Sequence, residues 1–234
     1  MTSILIIAAE RGLGLGLARE FFQRGWSVTV TYRPGADPDN LHAVGEADPT
    51  RLAVEQVDIA DPTSVDGLVT ALGTRRFDVI YQNAGIWGPM HQSVLKVTPE
   101  EIAQLFLTNA VAPARIMRRL LGHLPEKGGT LVFMSSLRGS VAENVEGGIE
   151  LYRASKAALN SLTRTLWTEV KDDARTMLTI HPGWVNTEMG TLGGTVAYEI
   201  ELDESVKGVA AVVARHVNDR EHLFLDWEDR PIAW

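Results

Sequence analysis

The chain has 234 residues, 45% of them hydrophobic, which suits one domain of ordinary size with a full core. Its 22 Lys and Arg against 30 Asp and Glu leave a net charge of -8, which repels polyanions and argues against nucleic acid or an anionic membrane surface as partner. There is no Cys, so disulfides, thiolate metal sites and cysteine nucleophiles are excluded.

Met1-Thr2-Ser3 runs into a strand pattern without a basic leader, and no apolar run reaches the ~18 residues of a membrane span, so the chain reads as cytoplasmic. Ile4 to Ala8 is a continuous apolar run, as expected for a parallel strand covered on both faces. Gly12, Gly14 and Gly16 then open a helix in which Leu13, Leu17 and Phe21 recur at helical spacing, with Gly25 as its stop. Strand, glycine turn and helix form the first unit of a dinucleotide fold, because a helix N-terminus offers free N–H groups and glycines admit a pyrophosphate. Small residues at such a turn also serve packing. A second strand, Val28 to Tyr32, ends at Arg33-Pro34-Gly35. NAD sites place an acid about twenty residues beyond the glycines, whereas a 2'-phosphate calls for Arg. No acid stands at Thr31, Tyr32 or Arg33; Arg33 and Arg11 are either a phosphate clasp or two solvated surface arginines.

Residues 35–50 read as loop with at most a short helix. Leu52, Val54 and Val57 make a third strand ending at Asp58; Asp61-Pro62 caps a helix that Gly73 ends. Phe77 to Tyr81 is a fourth strand running into Gln82-Asn83-Ala84-Gly85. Thr98-Pro99-Glu100-Glu101 is a capping box opening a helix that contains Asn109 and Pro113. Pro113 has no N–H, so the Asn109 carbonyl loses its helical partner and water is its natural replacement. A fifth strand, Gly129 to Met134, ends in Ser135-Ser136. Tyr152 and Lys156 lie four apart on one face of a helix running to about Val170. A nearby ammonium draws a phenol down from its usual ~10, which makes Tyr152 a candidate acid/base, although a lone pair of this spacing also describes a half-buried Tyr beside a snorkelling Lys. Thr176 to Ile180 is a sixth strand entering His181-Pro182-Gly183-Trp184-Val185, and a last helix around Ser205 to His216 precedes a seventh strand at Leu223 to Leu225. The alternation predicts an α/β single-domain Rossmann fold: a doubly wound, seven-stranded parallel sheet with helices on both faces, its strand ends gathered at one crevice. Trp87, Met90, His91, Val145, Trp184 and Met189 fall near that crevice, as pocket lining or as packing. The six His show no metal-ligand spacing.

In order, Arg11-Gly12-Leu13-Gly14, Asn83-Ala84-Gly85, Asn109, Ser136 before Gly139, Tyr152 with Lys156, and Pro182-Gly183 followed by Val185 and Thr187 resemble the short-chain dehydrogenase/reductase family from end to end. Within it, the ending Phe224, Asp226, Pro231-Ile232 and Trp234 is similar to the carbonyl-reductase branch related to the C-factor and sniffer proteins. The resemblance implies NADP(H) as the preferred cofactor, with NAD(H) as the alternative, and a small carbonyl or alcohol substrate. By the same resemblance Ser136 holds the carbonyl oxygen, Tyr152 gives it a proton, Lys156 lowers the phenol and binds the nicotinamide ribose, and Asn109 holds a water. Ala8, Arg11, Gly12, Leu13 and Gly14 would meet the pyrophosphate turn and Arg33 the adenosine ribose. Asp58 and Ile59 would approach adenine, Asn83, Ala84 and Gly85 the ribose region, and Pro182, Gly183, Val185 and Thr187 the nicotinamide end. Family analogy also implies a homodimer or homotetramer. The chain departs from the family where Ile7-Ala8 replaces the usual Thr-Gly, and the stretch Ala142 to Glu150 lengthens the path from Ser136 to Tyr152. Two other readings of the same residues are a dinucleotide-bound sensor with little turnover and a carbohydrate epimerase or dehydratase.

Overall fold

The computed structural model describes residues 1–234. The strands are β1 (Ser3–Ile7), β2 (Ser27–Tyr32), β3 (Leu52–Gln56), β4 (Val79–Gln82), β5 (Thr130–Met134), β6 (Thr176–His181) and β7 (His222–Asp226). The helices are α1 (Gly12–Gln23), α2 (Asp39–His42), α3 (Pro62–Leu72), α4 (Pro99–Phe106), α5 (Ala112–Arg119), α6 (Glu150–Val170) and α7 (Leu202–His216). The strands form one sheet in the order β3-β2-β1-β4-β5-β6-β7, every neighbouring pair parallel. Because side chains alternate along a strand, β1 serves two cores. Ile4 and Ile6 pack with Leu17 and Phe21 of α1 and Val209 and Val213 of α7. Leu5 and Ile7 pack on the other face with Leu68 of α3, Ile116 of α5 and Leu159 and Leu166 of α6. All of these except Leu68 are fully buried, and Leu68 is 1% exposed; each contributes about 2 kcal/mol of apolar burial. A one-residue slip of β1 would exchange both sets, so its register is strongly specified.

The winding reverses between β1 and β4, and a crevice opens there at the strands' carboxyl ends. The caps form as the sequence predicts: Asp61 accepts from the Thr63 N–H at 2.9 Å ahead of α3, and Thr98 and Glu101 complete their capping box. Two details differ. β4 begins at Val79 rather than Phe77, because the Phe77 N–H is taken by the His123 carbonyl and the Asp78 carboxylate is taken by Ser3 at 2.7 and 2.9 Å. The helix expected over Asn109 and Pro113 is instead α4 and α5 joined by a π turn over Leu107–Val111, in which the Ala112 N–H reaches back to the Leu107 carbonyl. Missing an N–H at Pro113, the backbone widens by one residue rather than merely losing a bond.

Candidate active site

The glycine turn meets the demands of a dinucleotide. Arg11, the residue before α1, is extended and no side chain caps the helix, so the first-turn N–H groups are left for an anionic ligand. Gly12 has φ +52, and a side chain there would meet only the Thr187 methyl at 3.8 Å, an open cradle. Gly14 is closed in, for a Cβ would lie 2.7 Å from Asn83 Nδ2 and 2.8 Å from Ala9 Cα. Glycine at 14 therefore lets α1 press onto the turn. Ala8, where the family carries glycine, adopts φ +65, which costs about 1 kcal/mol for a residue with a Cβ. Its N–H donates to Thr31 Oγ1 at 3.0 Å and its carbonyl accepts from Asn83 Nδ2 at 2.7 Å. Thr31 and Asn83 thus tie down the loop in place of the hydroxyl that Ile7 lacks. Asp58 accepts from the Ala60 N–H at 2.9 Å, setting the turn that carries buried Ile59 beyond β3. Arg33 lies exposed just past β2, while Arg11 forms an exposed ion pair with Glu188 of the loop following β6. Such a pair is weak and screened by salt, so a phosphate can displace it.

That loop crosses back over the glycine turn. The Pro182 carbonyl accepts from Ser205 at 2.6 Å, Gly183 turns with φ +87 against Trp227, Val185 bridges to Ile200, and Thr187 Oγ1 accepts from the Gly190 N–H at 3.0 Å. His181 sits beside this proline turn, and burial pushes it down to about 4, so it is neutral at pH 7.

Ser136 follows β5, its hydroxyl oxygen accepting from the Arg138 N–H at 3.1 Å. Tyr152 and Lys156 face the same site from α6. Lys156 is 3% exposed and donates to the Met134 carbonyl at 3.0 Å. Gly85 makes room for it, since a Cβ there would lie 3.2 Å from Lys156 Nζ. Fully buried Asn109 uses its carboxamide on both sides of Ile86, accepting from its N–H and donating to its carbonyl, each at 2.8 Å, and also donates to Ser155 Oγ at 3.0 Å. Ser155 in turn donates to the Tyr152 carbonyl at 2.8 Å. The side chain of Asn109 therefore sets the Asn83-Ala84-Gly85 segment against α6.

The electrostatics correct one expectation. Burial pushes the Tyr152 phenol up to about 12, and the Ser136 hydroxyl, which pulls it down, is outweighed. Burial likewise pushes Lys156 down to about 8. Lys156 does not bring the phenol toward neutral pH in this arrangement: its ammonium lies 5.9 Å from the phenol ring centre and is held by the Met134 carbonyl. The Trp87 indole stacks on that ring, centres 5.0 Å apart, and helps to exclude water. At pH 7 the chain holds a neutral phenol beside a buried ammonium.

Of the other residues placed near the crevice, Met90 and Val145 are exposed, His91 faces Glu101 at 3.3 Å, and Trp184 donates to the Gly190 carbonyl at 2.6 Å within its own loop. Trp87 packs on a candidate catalytic residue, its indole on the Tyr152 ring. The sequence reading missed Gln92, whose carboxamide joins the Trp87 loop to Tyr152; a glutamine among loop residues carries no signal of that.

The family model described as Enoyl-(Acyl carrier protein) reductase matches residues 7–213. The C-signal protein of Myxococcus xanthus is 31% identical over 168 residues, covering 70% of this chain and 97% of that protein. A carbonyl reductase from Pseudomonas aeruginosa PAO1, solved in complex with NADP, superposes with a TM-score of 0.88 at 39% identity over 100% of both chains. The carbonyl reductase Sniffer of D. melanogaster has the same TM-score at 26% identity, again over 100% of both chains. With the glycine turn, Asn109, Ser136, Tyr152 and Lys156 gathered at one crevice of a doubly wound sheet, the chain belongs to the short-chain dehydrogenase/reductase family, as an NAD(P)-dependent oxidoreductase.

Proposed function

We propose that the protein is an NADPH-dependent reductase that converts an aldehyde or ketone to an alcohol, with Tyr152 as the proton donor. The observation that carries the reading is the half-buried Tyr152 phenol, covered by the Trp87 indole and set with Ser136 and Lys156, at the mouth of a turn whose helix N-terminus is uncapped. A phenol that keeps its proton at pH 7 is in the state a reduction requires. The Ser136 hydroxyl donates to the substrate carbonyl oxygen and orients it toward Tyr152. Tyr152 gives its proton to that oxygen as negative charge develops there, and the Lys156 ammonium would hold the nicotinamide ribose beside it. When bound, the reduced nicotinamide supplies the hydride that adds to the carbonyl carbon. Gly12, Leu13 and Gly14 present the N–H groups for the pyrophosphate; Arg11, released from Glu188, and Arg33 flank the adenosine ribose and favour a 2'-phosphate. Small carbonyl compounds are the substrates, the site is cytoplasmic, and the exposed face of α6 is where a second copy packs.

The test is NADPH consumption against a panel of aldehydes and ketones by the parent and by Tyr152→Phe. The variant should lose turnover by a thousandfold or so while binding NADPH with nearly the parent's affinity. Near-normal turnover in Tyr152→Phe, or a parent that consumes NADPH with no carbonyl compound, refutes the assignment.

A further inference from the structure

Helix α6 begins badly by its own means. Its preceding residue, Ile149, has φ +49 and caps nothing with its side chain, so the first-turn N–H groups need partners from elsewhere. Gln92, sixty residues earlier, supplies one: its Oε1 accepts from the Tyr152 N–H at 2.8 Å. The Nε2 of the same carboxamide donates to the Trp87 carbonyl at 2.9 Å and to the Pro89 carbonyl at 2.8 Å. Gln92 is 7% exposed and sits at φ +51, a conformation that a residue with a Cβ keeps only when its surroundings hold it there. A second tie lies next to it, the Val94 N–H donating to Glu150 Oε2 at 2.8 Å. At the other end of the loop Asn109 grips Ile86 from both sides. The loop between these grips carries one large aromatic ring, Trp87, which lies on the Tyr152 ring, planes 27° apart.

We propose that Gln92 is a positioning residue that fixes Trp87 against Tyr152, and that the Trp87 indole so held is the wall of the substrate site that selects planar, aromatic carbonyl compounds over saturated ones of equal size. The inference rests on the reductase reading and deepens it. Any carbonyl that reaches the phenol must pass beside the indole, and a flat conjugated ring gains stacking contact there that a puckered ring of similar volume does not. Loss of the Gln92 carboxamide leaves the Tyr152 N–H and the Trp87 carbonyl without it, while the Pro89 carbonyl keeps the Gln92 N–H, and lets loop and indole move away from the phenol.

The experiment compares kcat/KM for benzaldehyde with that for cyclohexanecarbaldehyde in the parent, Trp87→Phe, Trp87→Leu and Gln92→Leu. Taking the ratio of the two substrates in each variant, and comparing variants, cancels the aldehydes' own difference in reactivity. Trp87→Leu and Gln92→Leu should each lower the ratio by roughly fivefold to tenfold, and Trp87→Phe should stay within about twofold of the parent. Gln92→Leu should also lower kcat with both aldehydes while the KM for the cofactor is unchanged. The near-ultraviolet circular dichroism of the unliganded protein, sensitive to the stacked indole and phenol, should change alike in Trp87→Leu and Gln92→Leu. If Gln92→Leu does not fold, Gln92→Glu keeps the acceptor for the Tyr152 N–H, loses the donor to the Trp87 and Pro89 carbonyls, and is expected to lower the ratio too. A parental ratio in folded Trp87→Leu or in the Gln92 variant overturns the proposal; absence of any carbonyl reduction by the parent would instead overturn the reductase reading.

Discussion

Replacing Lys156 with Met should make the unliganded protein more stable. Lys156 is 3% exposed and burial takes its ammonium down to about 8 from a usual 10.5. That depression corresponds to about 3 kcal/mol of unfavourable ion burial, borne by the folded state at neutral pH. Against it stands one charged hydrogen bond, to the Met134 carbonyl at 3.0 Å, whose removal leaves that carbonyl unpartnered and costs about 1 to 2 kcal/mol. Met has nearly the length of Lys and keeps the packing of the stem. The ion-burial effect is the larger, and Lys156→Met should gain about 1 to 2 kcal/mol at pH 7, or roughly 2 to 8 °C in Tm for a chain of this size. The pH dependence follows from the sign of the shift. Between about 8 and 10.5 the unfolded chain keeps the lysine proton and the folded one has released it, so the parent gains stability as pH rises through this window. The advantage of the variant is therefore complete below about 8 and fades by about 10.5. Urea or thermal unfolding without cofactor, at pH 7 and at pH 10, measures both. A variant less stable than the parent at pH 7, or a difference that is the same at both pH values, refutes the reasoning.

Arg33→Asp should weaken NADPH binding roughly tenfold or more and leave NADH binding little changed; a set of dissociation constants that keeps the parent's preference would remove Arg33 from the 2'-phosphate. Gly14→Ala should lower Tm by several degrees and abolish cofactor binding, because its Cβ would press on Asn83 Nδ2 at 2.7 Å and on Ala9 Cα at 2.8 Å. Cofactor titration of the folded variant checks it, and parental affinity would refute it. Acid should unfold the protein early: burial holds His181 down to about 4 and, together with Arg164, His222 down to about 3. The unfolded chain takes up protons that the folded one refuses as pH falls below about 6.5, and each histidine removes about 2 kcal/mol by pH 5. His222→Phe should flatten that loss in a Tm-against-pH series; an unchanged slope would show that His222 does not drive it.

What could be read from the chain and what could not divides along a physical line. β1 is legible because Ile4 to Ile7 are apolar without a break, and the partners Leu17 and Phe21 recur at helical spacing. Tyr152 and Lys156 are legible because four residues along a helix is a fixed geometry. Gln92 is not, since its acceptor reaches the first turn of α6 across sixty residues and nothing local marks it. Arg11 could be placed in the glycine turn, but its ion pair with Glu188 spans 177 residues. Pro113 announced a broken helical bond at Asn109; that the chain would absorb it as a π turn depended on the packing of α4, the turn and α5 against α6. The Tyr152 shift failed for the same reason: the nearby ammonium was in the sequence spacing, while the burial that outweighs it, to which the Trp87 ring contributes, comes from the fold.

Three strained residues stand where these long-range ties converge. Ala8, Gln92 and Ile149 all have positive φ without being glycine; they stand at the start of the glycine turn, in the loop under the Trp87 indole, and just ahead of the helix that carries Tyr152. Each is an unfavourable conformation by about 1 kcal/mol. Hydrogen bonds to Thr31 and Asn83 fix Ala8, and those of the Gln92 carboxamide fix the loop against α6. Local propensity alone would place none of these residues there, and the buried ammonium of Lys156 adds a fourth unfavourable element at the same crevice. The same conformation recurs in the turns at Ala174, Leu192, Arg220 and Asp229; what sets the crevice apart is that its strained residues stand beside a buried ammonium and are tied together by side-chain hydrogen bonds. Those ties fix the phenol, the ammonium and the glycine turn relative to one another, against the preference of each residue taken alone.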